Sequence, residues 1–243
     1  MSRAGDEFSG PIRQRSGWLV PLAVFFVTAC LSALVLAYYF APTPSQLTQE
    51  LPAPTDATRP VTLSVGLVRF RIPANYIVRA SARLGGEMAQ LDMIAMLPNF
   101  EGYTLGTARE FTGNEPDSGV VYFSLAGNRA ALPEQERIDR IYMHQVTDAS
   151  GAPGPYALRQ YAFRSDSGYR SEDLLVGVGD GGRPVVLICN KLAPDTVSPN
   201  CLRDLPLGNG LALSYRFKRG NLADWRKVDA GLRALIDRFT VKN

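Results

Sequence analysis

The chain has 243 residues, 46% of them hydrophobic and 20% charged, with a formal net charge of +3. Lys and Arg are scattered among Asp and Glu without a basic tract, which argues against a nucleic-acid-binding protein. The single histidine, His144, limits a nucleophile–histidine–acid arrangement to one position, and one histidine with two spaced cysteines matches no standard zinc pattern.

Residues 1–17 form a short tail with Arg3, Arg13 and Arg15 against Asp6 and Glu7. Residues 18–41, WLVPLAVFFVTACLSALVLAYYFA, carry no charge. At about 1.5 Å per residue, a helix of that length crosses a hydrocarbon core of about 30 Å. The run is too long for the apolar region of a cleaved signal peptide, and it ends in bulky Tyr38, Tyr39 and Phe40. Only Thr28 and Ser32 interrupt it, so it lacks the polar face of a core helix. Pro21 falls in the first turn, where a missing N–H costs little. Trp18 and Tyr38, Tyr39 sit where interfacial aromatics belong. Cys30, in mid-span, reads as a small packing residue. No Lys or Arg follows until Arg59, so the tail arginines place the N-terminus in the cytoplasm and the rest outside it. The expected location is a bacterial inner membrane, single-pass, with a periplasmic domain. The lack of an Asn-x-Ser/Thr sequon agrees with this.

Residues 42–60, PTPSQLTQELPAPTDATRP, read as a semi-extended Pro/Thr-rich spacer. The domain is expected over 61–243, long enough for one sizeable core. Val61, Leu63 and Val65 alternate with polar residues. After Gly66 the phase shifts to Val68, Phe70 and Ile72, which suggests a strand bulged near Gly66. Ile77 and Val78 start a second short strand. Residues 90–97 put Leu91, Met93, Ala95 and Leu97 on one strand face, with Ile94 and Met96 on the other. Residues 100–119 read as a loop with one short element, 120–125 as a buried strand, and 128–133 as a turn. A helix is expected over 134–145 from the Ile138, Ile141, Tyr142 and Gln145 stripe.

Residues 156–164 resume alternation, with Ala157, Tyr161 and Phe163 on one face. Residues 174–178 and 184–189 flank VGDGGR, a hairpin signal centred on Asp180-Gly181-Gly182. In 211–217, Leu211, Leu213, Tyr215 and Phe217 alternate with Ala212, Ser214 and Arg216. The last element is a helix capped by Asn221, with Asp224 three residues on. Its apolar stripe is Leu222, Trp225, Val228, Leu232, Leu235, Ile236 and Phe239. Such a helix needs a surface, which the preceding meander supplies. The fold class is therefore α+β: an N-terminal transmembrane helix, then an antiparallel-sheet domain with a packed C-terminal helix.

Cys189 ends a strand and Cys201 falls in the expected loop after it. An oxidising compartment permits a structural disulfide between them. Gly177-x-Gly179-x-Gly181-Gly182 lacks the P-loop lysine and hydroxyl and precedes a strand, so it reads as a turn. Met88, Met93 and Met96 read as core residues rather than soft-metal ligands. Asp166, Glu172 and Asp173 lack an EF-hand spacing. No catalytic, metal or cofactor-binding residue is assigned, and no cofactor is expected. Among Tyr103, Tyr169, Tyr215 and Trp225, the loop residue Tyr169 beside Arg170 is the candidate partner contact, because Tyr and Arg are frequent hot-spot residues. The expected function is a membrane-anchored, non-enzymatic binding or scaffold protein, or an accessory subunit of an envelope complex. Its partners would be the lipid bilayer through 18–41 and a membrane or periplasmic protein, with no nucleic acid. A periplasmic sensor or small-ligand binding domain is the alternative, followed by an enzyme without a catalytic histidine.

Overall fold

The computed structural model describes residues 17–40, 50–127 and 132–242. The tail arginines, residues 42–49 of the spacer, part of the 128–133 turn and the side chains of Tyr38 and Tyr39 lie outside that description. The chain divides into two units, the second running from Glu50. In the first, α1 (Leu19–Phe40) is one helix of 22 residues, long and apolar enough to cross a membrane.

The second unit begins earlier than Val61. The Ala53 N–H donates to the Val78 carbonyl (3.1 Å), so the latter part of the spacer lies on the domain. The phase change at Gly66 is a chain reversal, not a bulge. β1 (Pro60–Val65) and β2 (Val68–Pro73) pair antiparallel, with Val65 opposite Val68 and only Gly66-Leu67 between them. Gly66 adopts φ 56°, which a two-residue hairpin turn requires at its first central position. β3 (Gly86–Met88) adds to β1 in parallel.

The larger sheet has eight strands: β4 (Gln90–Met96), β5 (Val120–Ala126), β6 (Ala152–Pro153), β7 (Arg159–Ala162), β8 (Glu172–Val178), β9 (Pro184–Asn190), β10 (Asn200–Gly208) and β11 (Leu211–Lys218). Their order is β4-β5-β11-β10-β9-β8-β7-β6, and every neighbouring pair is antiparallel. Cys201, expected in a loop, lies within β10 opposite Cys189 of β9. The expected 156–164 strand is shorter because Tyr156 and Ala157 take positive φ and turn the chain. Leu158, rather than Ala157, enters the core.

One face of this sheet, the inner face, carries Leu91, Phe123, Leu187 and Tyr215. It shares a core with β1, β2 and the C-terminal helix, here α4 (Trp225–Phe239). The expected apolar stripe of that helix is buried throughout. Its cap differs: the helix starts after Asp224, and a 3-10 segment, Arg219–Asp224, precedes it. Asn221 instead donates to the Ser118 carbonyl (2.9 Å) and ties two loops together.

The outer face is covered in two places. Near β4 and β5, α2 (Ala108–Thr112) and the turn before it bring Phe111 and Tyr103 over Ile94 and Val120. Near β8 and β9, α3 (Glu134–Arg137) and a π turn, Ile138–Tyr142, bring Ile138 and Tyr142 over Leu174 and Val186. The expected 134–145 helix is thus an α turn continued by a π turn, ending at Tyr142. Sheet edges are occupied by short segments: Ile77 bridges to Met93, and Phe70 of β2 bridges to Thr240. Such pairing blunts an edge against further strand addition.

Candidate partner-binding face

Between the two outer covers, no other described residue packs over the outer face of the central strands. Strand register places Ile94, Tyr122, Arg216 and Leu202 in one rank across β4, β5, β11 and β10. The next rank is Asp92, Ser124, Ser214 and Asp204. At about 4.8 Å between strands, each rank spans about 14 Å. The two serines are short, so the face sinks into a trough. Its β4 half holds about 370 Å³, and a further depression of about 170 Å³ continues toward α3. Ser124 and Ser214 line both parts.

The charges of the trough are unevenly satisfied. At one end Arg79 Nε lies 3.1 Å from Asp92 Oδ2. At the other, Arg137 is only 12% exposed, donates to the Asp204 carbonyl, and lies 4.0 Å from the Asp204 carboxylate. The Arg137 Nε is buried without a hydrogen-bond partner among the described residues. Arg216 projects from the first rank with its guanidinium 4.8 Å from the Tyr122 ring centroid, and no carboxylate among the described residues pairs with it. Two residues on, Lys218 donates to Asn114 Oδ1 (2.6 Å) and Ser198 Oγ (2.7 Å), both neutral. Burial pushes the Lys218 pKa down, and the charge of Arg216 adds to that shift. The outer face of β11 is therefore electropositive.

A second polar site lies where the sheet splits. β10 pairs with β11 along most of its length but with β9 only at Cys201 and Leu202. Beyond that point β9 and β10 diverge, and Pro206, which cannot donate to a ladder, falls in the unpaired half. Glu134 fills the wedge. Its carboxylate accepts from the Val186 N–H (3.0 Å) and, in a bidentate pair, from Arg203 Nε (2.9 Å) and Nη2 (2.8 Å). A cavity of about 350 Å³ adjoins these groups and Asp229. Its central charges already neutralise one another, which disfavours it as a ligand site.

The residues singled out from sequence are dispersed. Tyr169 is half-buried, stacked on Phe163 (5.0 Å between centroids) and edge-on to Tyr142 (5.7 Å). Arg170 is exposed, and its carbonyl accepts from Lys191 Nζ (2.6 Å). Tyr103, Tyr215 and Trp225 are buried, and His144 is exposed. Asp173 pairs with Arg219 (2.8 Å). Burial raises the pKa of Glu172. The Cys189 and Cys201 sulfurs lie 1.98 Å apart, and Cys30 is a free cysteine of α1. In the glycine-rich hairpin, Gly181 and Gly182 take φ of 71° and 74°. A Cβ on Gly177 would meet Leu158 at 2.6 Å and the Trp225 ring at 3.2 Å, so that glycine serves packing. Among the described residues no group of three or more His, Cys, Asp or Glu is placed to hold a metal ion. The trough itself escapes a linear reading because its residues come from four strands and meet only through register.

No protein-family model matches the chain, and no curated protein matches it. Among solved structures, the chain is similar to Smlt3025, an immunity protein of the Stenotrophomonas maltophilia type IV secretion system. The TM-score is 0.54 at 17% identity, over 76% of this chain and 94% of that one. The Neisseria meningitidis iron-regulated outer membrane lipoprotein FrpD gives a TM-score of 0.48 at 10% identity, over 77% of this chain and 97% of that one. The similarity to Smlt3025 is one of fold, an α+β domain with an antiparallel sheet and a C-terminal helix.

Proposed function

We propose that this chain is a membrane-anchored, non-enzymatic protein whose domain lies outside the cytoplasm and binds a partner protein of the cell envelope. The observation that carries this reading is the trough on the central strands, uncovered among the described residues between the two outer clusters, with Arg216 in its lining and no described carboxylate paired to it. Contiguous surface of this kind, with arginine beside tyrosine and leucine, suits a protein partner. The fold shared with an immunity protein of a secretion system favours a binding or accessory role over catalysis. Arg170, beside Tyr169, is a secondary contact in this proposal. The span over 18–41 anchors the domain to an inner membrane, with the tail arginines holding the N-terminus in the cytoplasm.

Crosslinking in intact cells followed by detergent solubilisation tests the reading. A specific membrane or periplasmic protein should be recovered with the chain. Recovery of the chain alone, across mild detergents and crosslinkers, overturns it. A reporter fused after Asn243 should be active only outside the cytoplasm, and the reverse pattern removes the compartment assignment.

A further inference from the structure

We infer that the trough takes a partner segment bearing an acidic side chain, whose carboxylate pairs with Arg216. The inference rests on the partner-binding reading above and specifies its chemistry. Arg216 and Lys218 stand two residues apart on the same face of β11, and neither has a carboxylate partner among the described residues. Arg137, at the far end, keeps a buried Nε without a hydrogen-bond partner. A carboxylate placed over Arg216 gives that guanidinium the partner it lacks among the described residues.

The geometry restricts how the segment lies. The outer edge of β4, beside the trough, is bridged at Met93 and Met96, so the segment rests on the face rather than adding to that edge. A rank of about 14 Å accommodates roughly four residues of extended chain at about 3.4 Å each. Ser124 and Ser214 offer hydroxyls to its polar groups. Leu202, 40% exposed, and the Tyr122 ring give it apolar contact on either side of Arg216.

The test uses the full chain in its native membranes, with a photo-crosslinking amino acid replacing Ser214 and, separately, one replacing Arg238 on α4. The Ser214 probe should join the partner at a peptide containing Asp or Glu within about four residues of the adduct. Arg216→Glu should lower that yield about tenfold or more. Lys in place of the partner's acid should restore it in the Arg216→Glu background. An adduct unchanged by Arg216→Glu, an adduct peptide without an acid, or an adduct only between two copies of this chain overturns the inference. A partner captured from Arg238 but not from Ser214 overturns the trough alone, whereas no partner from any position overturns the proposed function with it.

Discussion

Arg203 of β10 and Asp229 of α4 form an ion pair with N and O 2.5 Å apart, and the guanidinium is only 2% exposed. The same guanidinium grips Glu134, which accepts the Val186 N–H of β9. One cation therefore joins the C-terminal helix, the α3 turn and both strands of the split. Burial opposes its charge, but the Glu134 hydrogen bond and the surrounding Tyr215, Glu134 and Asp229 oxygens outweigh burial and raise its pKa.

Removing Arg203 strips the part-buried Glu134 carboxylate of its cation and leaves Asp229 with only the more exposed Arg233 (3.1 Å). Arg203→Met should destabilise the domain by about 3–5 kcal/mol, the usual cost of breaking a buried pair from one side. Adding Glu134→Gln and Asp229→Asn should recover much of the loss, because no unpaired charge is then buried. Urea denaturation followed by Trp225 fluorescence measures both. Equal stability of the single and triple variants would show that packing of the side chain, not charge pairing, dominates.

A helix glycine is usually a site for improvement, since alanine is favoured there by about 1 kcal/mol. Gly231, inside α4, is an exception. A Cβ at that position would overlap Cε2 and Cζ of the Phe100 ring. Phe100 cannot withdraw freely, because its backbone holds a positive φ of 56° and its carbonyl accepts from the Tyr76 hydroxyl (3.0 Å). Gly231→Ala should therefore destabilise by about 1–3 kcal/mol through overpacking. A rise in melting temperature would mean that the loop carrying Phe100 repacks without cost.

The C-terminal helix was legible in the sequence because its buried stripe, from Trp225 to Phe239, repeats with the helical period and its charged residues fall elsewhere. The β8–β9 hairpin was legible from Asp180-Gly181-Gly182. β10 was not. Its inward positions read Cys201, Arg203 and Leu205, and the buried arginine breaks the apolar alternation on which strand recognition depends. Its charge is acceptable only because Glu134 and Asp229 arrive from distant parts of the chain. Tyr169 shows the same limitation on the site side: its exposure is reduced by Phe163 and Tyr142, contacts that loop composition does not reveal.

The Cys189–Cys201 pair sits at the junction where β9 and β10 separate and is itself one of the two ladder pairs those strands share, next to Ile188–Leu202. A bond there holds the sheet together at its narrowest seam. With 12 positions separating the cysteines, the closed loop is short, and replacing both by serine should cost about 2–3 kcal/mol. Hydrogen exchange should accelerate first in the amides of Ile188 and Leu202. Peptide mass analysis without reductant should find one crosslinked pair and an unmodified Cys30. Full alkylation of Cys189 and Cys201 in the native protein would rule the bond out and reopen the compartment assignment.

Tyr215 supplies a pH signature for the same buried network. It is 1% exposed, donates to Asp229 Oδ1 (3.3 Å) and accepts from Arg203 Nη1 (3.4 Å). Burial raises its pKa above the ordinary 10.0; Arg203 opposes the rise and Asp229 adds to it. Below about pH 10, folded and unfolded chains both keep the phenolic proton, and this group gives stability no pH dependence. Above that value the unfolded chain releases the proton while the folded chain retains it, so stability falls as pH rises. One such group contributes a slope of up to about 1.4 kcal/mol per pH unit. Tyr215→Phe should be less stable at neutral pH by about 1 kcal/mol, for the lost hydrogen bonds, yet decline more shallowly between about pH 10 and about pH 11. Tyr142, whose pKa burial also raises, is present in both proteins, so its contribution cancels in the comparison. Urea denaturation of the two proteins across that range measures the difference in slope. Parallel declines would mean that Tyr215 ionises in the folded state as readily as in the unfolded one, and that the Arg203 network does not keep the phenol protonated.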